Sequence, residues 1–117
     1  MTPFSRLFIA LAGLAGACGV AAAAYASHAG GALMDTASTF LMLHAPAFLA
    51  LGLAGEAPGR GLRWSGLALA AGLILFCGDL AIRELAGARL MPMAAPAGGS
   101  LLILGWAGVA VSGLLRR

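Results

Sequence analysis

The sequence predicts an all-α integral membrane protein, a compact antiparallel bundle of four transmembrane helices. Hydrophobic residues make up 62% of the 117 residues and charged residues only 9%, against about 25% charged residues in an ordinary soluble domain. A chain this short cannot enclose so much apolar surface in one water-soluble core. The apolar residues also fall into four runs of about 20 residues, the length that crosses a bilayer. Short loops join the runs, which makes neighbouring helices antiparallel.

The four runs are the elements of this bundle in order: residues 7–26, 36–54, 62–82 and 97–115. They leave no room for a second domain, so residues 1–117 are expected to form a single transmembrane domain. The first run ends in AAAAYAS, which is similar to a signal-peptidase site. Its apolar stretch is longer than a usual signal core, so we expect it to be retained as a helix.

Arginine supplies all the positive side-chain charge, because the chain has seven arginines, no lysine and four acidic residues. The arginines lie at the ends of the apolar runs and form no basic face that could follow phosphates, which argues against nucleic-acid binding. Their distribution predicts orientation, because cytoplasmic loops are enriched in Lys and Arg. The side of the termini carries Arg6, Arg60, Arg63, Arg116 and Arg117, and the other side carries Arg83 and Arg89. We therefore expect a multi-pass protein among the lipids of the bacterial inner membrane, with cytoplasmic N- and C-termini.

Small residues mark the surfaces where the helices are expected to touch. The first run contains Gly16 and Gly19, and the fourth contains Gly98, Gly99 and Gly105. Helices in lipid associate by close backbone approach at such residues. The contacts are expected either within the bundle or between copies, and the sequence leaves both alternatives open.

His44 lies deep in the second run, two residues before Pro46. Pro46 cannot donate a backbone hydrogen bond, which frees the carbonyl of Met42. A histidine at this depth is a functional candidate by default. One interpretation is an interhelical hydrogen bond to the freed carbonyl or to a neighbouring serine. The other is contact with a ligand, a proton or a metal ion.

Two polar residues flank the loop between the first and second runs. His28 lies in YASHAGG, where it is expected to be solvated or bonded to a helix end. Asp35 directly precedes the second run. We expect its carboxylate to occupy the N-cap position and accept hydrogen bonds from free backbone amides there.

Asp79 lies near the outer end of the third run, in ILFCGDLAIREL, where the helix dipole disfavours a carboxylate. Arg83 follows one turn later on the same face, and a local ion pair is the simplest interpretation. The alternative is a candidate polar cluster in the outer half of the bundle, in which His28, His44, Asp79 and Arg83 converge between helices.

The sequence contains none of the usual catalytic motifs, such as HExxH, GxSxG or a Walker A loop. No catalytic, cofactor-binding or metal-binding residue is therefore assigned, and any cofactor is unknown. Cys18 and Cys77 are interpreted as small packing residues. We expect them at different depths in the bilayer, which argues against a disulfide between them.

Four sequence elements resemble a known family in their order and spacing. SHAGG follows the first run, LHAPAFLALGL lies in the second, LILFCGDL lies in the third, and MAAPAGGSLLILGW opens the fourth. Together they resemble the domain of unknown function 423 family of small bacterial inner-membrane proteins, which has eukaryotic relatives among small transmembrane proteins. The resemblance covers nearly the whole chain and implies the same membrane fold. It implies no activity, because the family has none established.

The residues at the family's motif positions are His28, His44, Gly78, Pro96, Gly98 and Gly99. The chain departs from the family pattern where Cys77 and Asp79 replace serines and Ala95 replaces a threonine. Arg83 and Glu84 replace apolar residues, which makes the outer end of the third helix more charged. The resemblance thus implies that Asp79 makes a contact particular to this chain, whereas the histidines belong to the family pattern.

Two functions fit these observations. The first is a non-enzymatic accessory or assembly component of a membrane protein complex, with a protein partner in a homo- or hetero-oligomer. The second is a binding or transport module for a proton, metal ion, haem or small lipid-like ligand, held by the outer His/Asp cluster.

Overall fold

The computed structural model describes residues 1–57 and 59–115. Within these residues lie four helices: α1 (Pro3–Ala29), α2 (Ala32–Ala54), α3 (Arg60–Ala86) and α4 (Ala94–Leu115). All four are long and apolar enough to span a membrane, so the prediction of a four-helix membrane protein is confirmed. Arg116 and Arg117, which contribute to the predicted orientation, lie outside the described residues.

Each helix begins earlier than the apolar run that predicts it. Hydropathy marks the stretch that crosses hydrocarbon, whereas helical hydrogen bonding continues until a capping residue stops it. At the start of α1, the hydroxyl of Thr2 accepts a hydrogen bond from the Ser5 amide at 3.1 Å, and Pro3 occupies the first turn. These residues form a standard helix start four residues before the apolar run.

The loop between α1 and α2 corrects the prediction for Asp35. Gly30 and Gly31 make this turn with φ angles of 80° and 113°, which favour glycine. Gly31 is the N-cap of α2, without a capping side chain, and Asp35 lies in the first turn of the helix. The prediction that Asp35 is the N-cap is therefore wrong, because the helix begins before the hydrophobic run does. Its carboxylate still lies at the favourable end of the helix dipole.

The helices pack as two antiparallel hairpins. α1 lies along α2, α3 lies along α4, and the hairpins meet chiefly through α2 and α3. Phe8, Phe48 and Leu69 form the most deeply buried part of the core. The Phe8 and Phe48 rings meet edge to face, with centroids 5.7 Å apart, a favourable aromatic geometry. This contact joins α1 to α2 beside α3.

Cys18 on α1 and Cys77 on α3 line the same stretch of surface between these helices. The prediction that they lie at different depths is therefore wrong. α1 and α3 run in the same direction, and at about 1.5 Å per residue each cysteine lies roughly 22–26 Å from the start of its helix. Both thiols are free.

Candidate functional site

His44 joins α2 to α4 through its imidazole ring, which is buried. Nδ1 lies 2.7 Å from the carbonyl oxygen of Phe40, and the indole Nε1–H of Trp106 donates to Nε2 at 3.1 Å. An indole nitrogen can only donate, so Nε2 must accept and the ring proton belongs on Nδ1. The geometry therefore matches an interhelical hydrogen bond, with an indole as partner in place of a serine or the Met42 carbonyl.

Trp106 is a site residue that the sequence reasoning missed. It lies in the middle of α4, on a partly exposed face. Its ring centroid lies 5.6 Å from that of His44. A general rule could have indicated Trp106. An indole N–H in hydrocarbon needs a hydrogen-bond acceptor, and a buried histidine is one of the few acceptors available there.

Asp79 is fully buried and holds the loop between α3 and α4. Its Oδ1 accepts a hydrogen bond from the Leu90 amide at 2.8 Å. Its Oδ2 lies 3.7 Å from Arg83 Nε, in an ion pair between residues one helical turn apart. Oδ2 and Nε are both buried and have no hydrogen-bond partner among the described residues. The structure thus brings Asp79 and Arg83 together and adds a loop contact that no helical spacing indicates.

Glu84 on α3 closes the same end of the bundle. Its Oε1 accepts a hydrogen bond from the Met34 amide at 3.2 Å, in the first turn of α2. This carboxylate therefore satisfies an amide at a helix start whose own N-cap, Gly31, offers no side chain. The capping role predicted for Asp35 is thus filled by Glu84, which no local pattern indicates because it lies fifty positions away in the sequence.

His28 makes its hydrogen bond within its own helix. It is exposed at the end of α1, and its Nδ1 lies 2.9 Å from the carbonyl oxygen of Ala24 in the same helix. The hydrogen bonds of His28, His44 and Asp79 thus go to separate partners. Among residues 1–57 and 59–115, no three His, Cys, Asp or Glu side chains are grouped closely enough to hold a metal ion.

The predicted packing glycines of α4 differ in how closely α3 approaches them. A methyl group added at Gly98 would lie 2.5 Å from the Phe76 amide nitrogen and 2.8 Å from the Gly72 carbonyl oxygen. One added at Gly105 would lie 2.8 Å from the Leu69 side chain. At Gly99 the nearest atom would be 3.9 Å away, which is ordinary contact. We call the contact built on Leu69, Gly72, Gly98 and Gly105 the α3–α4 interface.

The glycines of α1 show the same contrast. Gly19 lies against α2, where a methyl group would meet Met42 at 2.5 Å. The Ser38 hydroxyl also donates to the Gly19 carbonyl at 2.9 Å. At Gly16 the nearest atom would be Ala45 Cβ at 3.8 Å. Close backbone approach within the bundle therefore occurs at some of these glycines and not at others.

An apolar groove runs between α1 and α3, with α2 as its floor. Its larger part has a volume of about 390 Å³. Residues that line this α1–α3 groove include Leu14, Ala15 and Cys18 on α1, Leu41 on α2, and Ile74, Cys77, Gly78 and Ala81 on α3. Cys18, Leu41, Cys77 and Ala81 also line its extension toward Tyr25 and Leu85. The groove is therefore a continuous apolar surface with small residues on both walls.

Comparison with known proteins identifies the family. A family model described as a protein of unknown function, DUF423, matches residues 12–99, most of the chain. The chain belongs to the DUF423 family. A UPF0382 membrane protein of Staphylococcus aureus is 31% identical to this DUF423 chain over 109 residues, covering 86% of the chain and 89% of the relative. One of Staphylococcus epidermidis is 30% identical with the same coverage.

The family match covers some of the residues described above and not others. It includes His28, His44, Asp79 and Gly98, whereas Gly105 and Trp106 lie beyond residue 99. No solved structure matches the chain significantly. The family is one of membrane proteins of unknown function, which agrees with the resemblance in the sequence, and its description names no activity.

Proposed function

We propose that this DUF423 protein acts without catalysis, by association, as an accessory or assembly component of a membrane protein complex. The observation that carries the proposal is the α1–α3 groove. Its walls present small residues, such as Cys18, Gly78 and Ala81, around an apolar floor. In lipid, small residues support association because a second helix can approach them closely and gain dispersion contacts.

Two polar residues, His44 and Glu84, support a structural role for the rest of the bundle. His44 uses both ring nitrogens in bonds to Phe40 and Trp106. Glu84 caps α2. These hydrogen bonds stabilise the bundle that presents the groove.

Cross-linking inside the membrane tests the proposal. A photoreactive phenylalanine analogue replaces Leu14 or Ile74, which stand on opposite walls of the groove and are 62% and 63% exposed. The matched control is the same replacement at Ile103 on α4, which is 72% exposed and lies outside the groove. We expect a discrete adduct of defined mass from both wall positions and none from the control. A second copy and a different subunit are distinguished by that mass. Equal labelling at all three positions, with a solitary monomer in mild detergent, would contradict the proposal.

A second candidate is a binding or transport module for a proton, metal ion, haem or small lipid-like ligand. The atoms that favour it are Asp79 Oδ2 and Arg83 Nε, which are buried and lack hydrogen-bond partners in the part of the chain that the structure describes. Metal analysis and an absorption spectrum of the purified protein test it. A bound species that is lost in Asp79→Asn supports this function, and absence of any bound species from both proteins counts against it.

We also propose that the protein lies in the bacterial inner membrane with both termini in the cytoplasm. Arg6, Arg60 and Arg63 support this orientation, since they lie on the side of the termini, with Arg83 and Arg89 opposite. Alkaline phosphatase fused after residue 115 should be inactive, and the enzyme fused at Ala88 should be active. The reverse pattern would overturn the orientation.

A further inference from the structure

A second pocket lies where α1 and α3 begin, at the opposite end of α3 from Asp79. It has a volume of about 270 Å³ and is lined by Phe4, Arg60, Arg63, Trp64 and Leu67. We call it the arginine pocket. Two guanidinium groups and three apolar side chains therefore meet in one small space. Neither the association surface nor the His/Asp residues contribute to it.

The charges in the arginine pocket do not balance. Arg63 Nη1 lies 3.1 Å from Glu56 Oε1, and its guanidinium group lies 5.3 Å from the centre of the Phe4 ring. Arg60 is exposed and takes part in neither ion pair of the described residues. Arg63 Nε is buried and has no hydrogen-bond partner within residues 1–57 and 59–115. Two arginines and one glutamate leave one positive charge at the pocket, together with guanidinium donors that the described residues do not use.

The apolar half of the pocket continues along α3. Trp64 is 66% exposed, and Leu67 follows about one turn deeper. Tryptophan is enriched where a membrane helix meets the headgroups, because its ring is apolar and its N–H is polar. Hydrogen-bond donors for an anion therefore lie directly beside an apolar surface against which an acyl chain can pack.

We propose that the arginine pocket binds an anionic phospholipid, with the phosphate at Arg60 and Arg63 and an acyl chain along Trp64 and Leu67. Guanidinium groups match phosphate oxygens geometrically, and basic pockets between membrane helices bind anionic headgroups. A phosphatidylglycerol headgroup supplies the single negative charge that the pocket lacks. Phosphatidylethanolamine has no net charge and leaves the excess positive charge in place.

The test uses the full chain purified in detergent and titrated with phosphatidylglycerol, with bound lipid measured by native mass spectrometry. Arg60→Gln should lower the affinity about fivefold, since one arginine near an anionic surface contributes on the order of 1 kcal/mol. Arg6→Gln is the matched control. It removes the same charge at the same end of the bundle from an exposed residue outside the pocket, and it should leave the affinity unchanged. Arg60 is exposed, so its replacement is expected to fold normally.

Three results would overturn the proposal. The first is equal affinity for phosphatidylethanolamine, and the second is an equal effect of Arg60→Gln and Arg6→Gln. The third is displacement of the lipid by excess inorganic phosphate, which would indicate a site for a free anion. The test requires no protein partner, so its result is independent of the cross-linking experiment.

Discussion

The α3–α4 interface and the α1–α3 groove are both built from small residues on α3, yet only the interface is closed within the chain. At the interface, the backbones around Gly72 and Gly98 leave no space for one methyl group. In the groove, a methyl group at Gly78 would meet nothing within 4 Å. Small residues thus permit two helices to approach closely in lipid. Whether a second helix of the same chain packs against them depends on how the other helices are arranged.

Replacing Asp79 by alanine is expected to destabilise the α3–α4 hairpin more than any other substitution considered below. It leaves the Leu90 amide without its acceptor and Arg83 without its ion-pair partner, so we expect a loss of about 3 kcal/mol in unfolding free energy. Unfolding by sodium dodecyl sulfate in mixed micelles, followed by circular dichroism, measures it. Asp35→Ala removes the same charge from an exposed position and should cost less than about 1 kcal/mol. Equal losses would show that the Asp79 contacts add no more to stability than an exposed carboxylate does.

Gly98→Ala tests the α3–α4 interface directly. The added methyl group meets backbone atoms of Phe76 and Gly72, which cannot move aside as a side-chain end can. We expect a loss of about 2 kcal/mol from overpacking. The control is Gly99→Ala, whose methyl group has space and should be neutral or stabilising by up to about 1 kcal/mol through helix propensity. The same unfolding assay applies, and a neutral Gly98→Ala would contradict the close packing of these helices.

Trp106→Phe tests the bond between α4 and α2. The phenyl ring keeps most of the packing but leaves His44 Nε2 buried without a donor. We expect a loss of about 1 kcal/mol, in the range of interhelical hydrogen bonds in membrane proteins. Trp64→Phe, at an exposed ring, should have little effect in lipid-free detergent. If both variants unfold alike, the His44–Trp106 bond does not stabilise the bundle.

Gly78→Leu is the converse experiment in the open groove. Because nothing lies within 4 Å of an added methyl group, we expect the unfolding free energy to be unchanged or to rise by up to about 1 kcal/mol. The larger side chain occupies the groove, so cross-linking from Leu14 should fall. Undiminished cross-linking would place the partner elsewhere on the surface.

The polar end of the bundle around Asp79 could be predicted only in part from the sequence. The Asp79–Arg83 pair could be found because residues four apart lie on one helix face, which is a local property. The Leu90 amide and the Glu84 cap on Met34 could not, because both depend on where a distant loop or helix start lies in space. The error over Asp35 has the same origin, since hydropathy marks the membrane-crossing stretch and not the first helical residue.

The sequence by itself determined the membrane location, the four helices and their order. These follow from the apolar content of successive 20-residue stretches, because transfer into lipid is favourable for each stretch independently of the others. Only the tertiary structure decided that His44 meets Trp106, that Gly98 is closed while Gly78 is open, and that Cys18 and Cys77 share a groove. Each of these depends on the rotation of a helix about its own axis. In lipid every face of such a helix is apolar, so hydropathy does not specify that rotation, and packing between helices does.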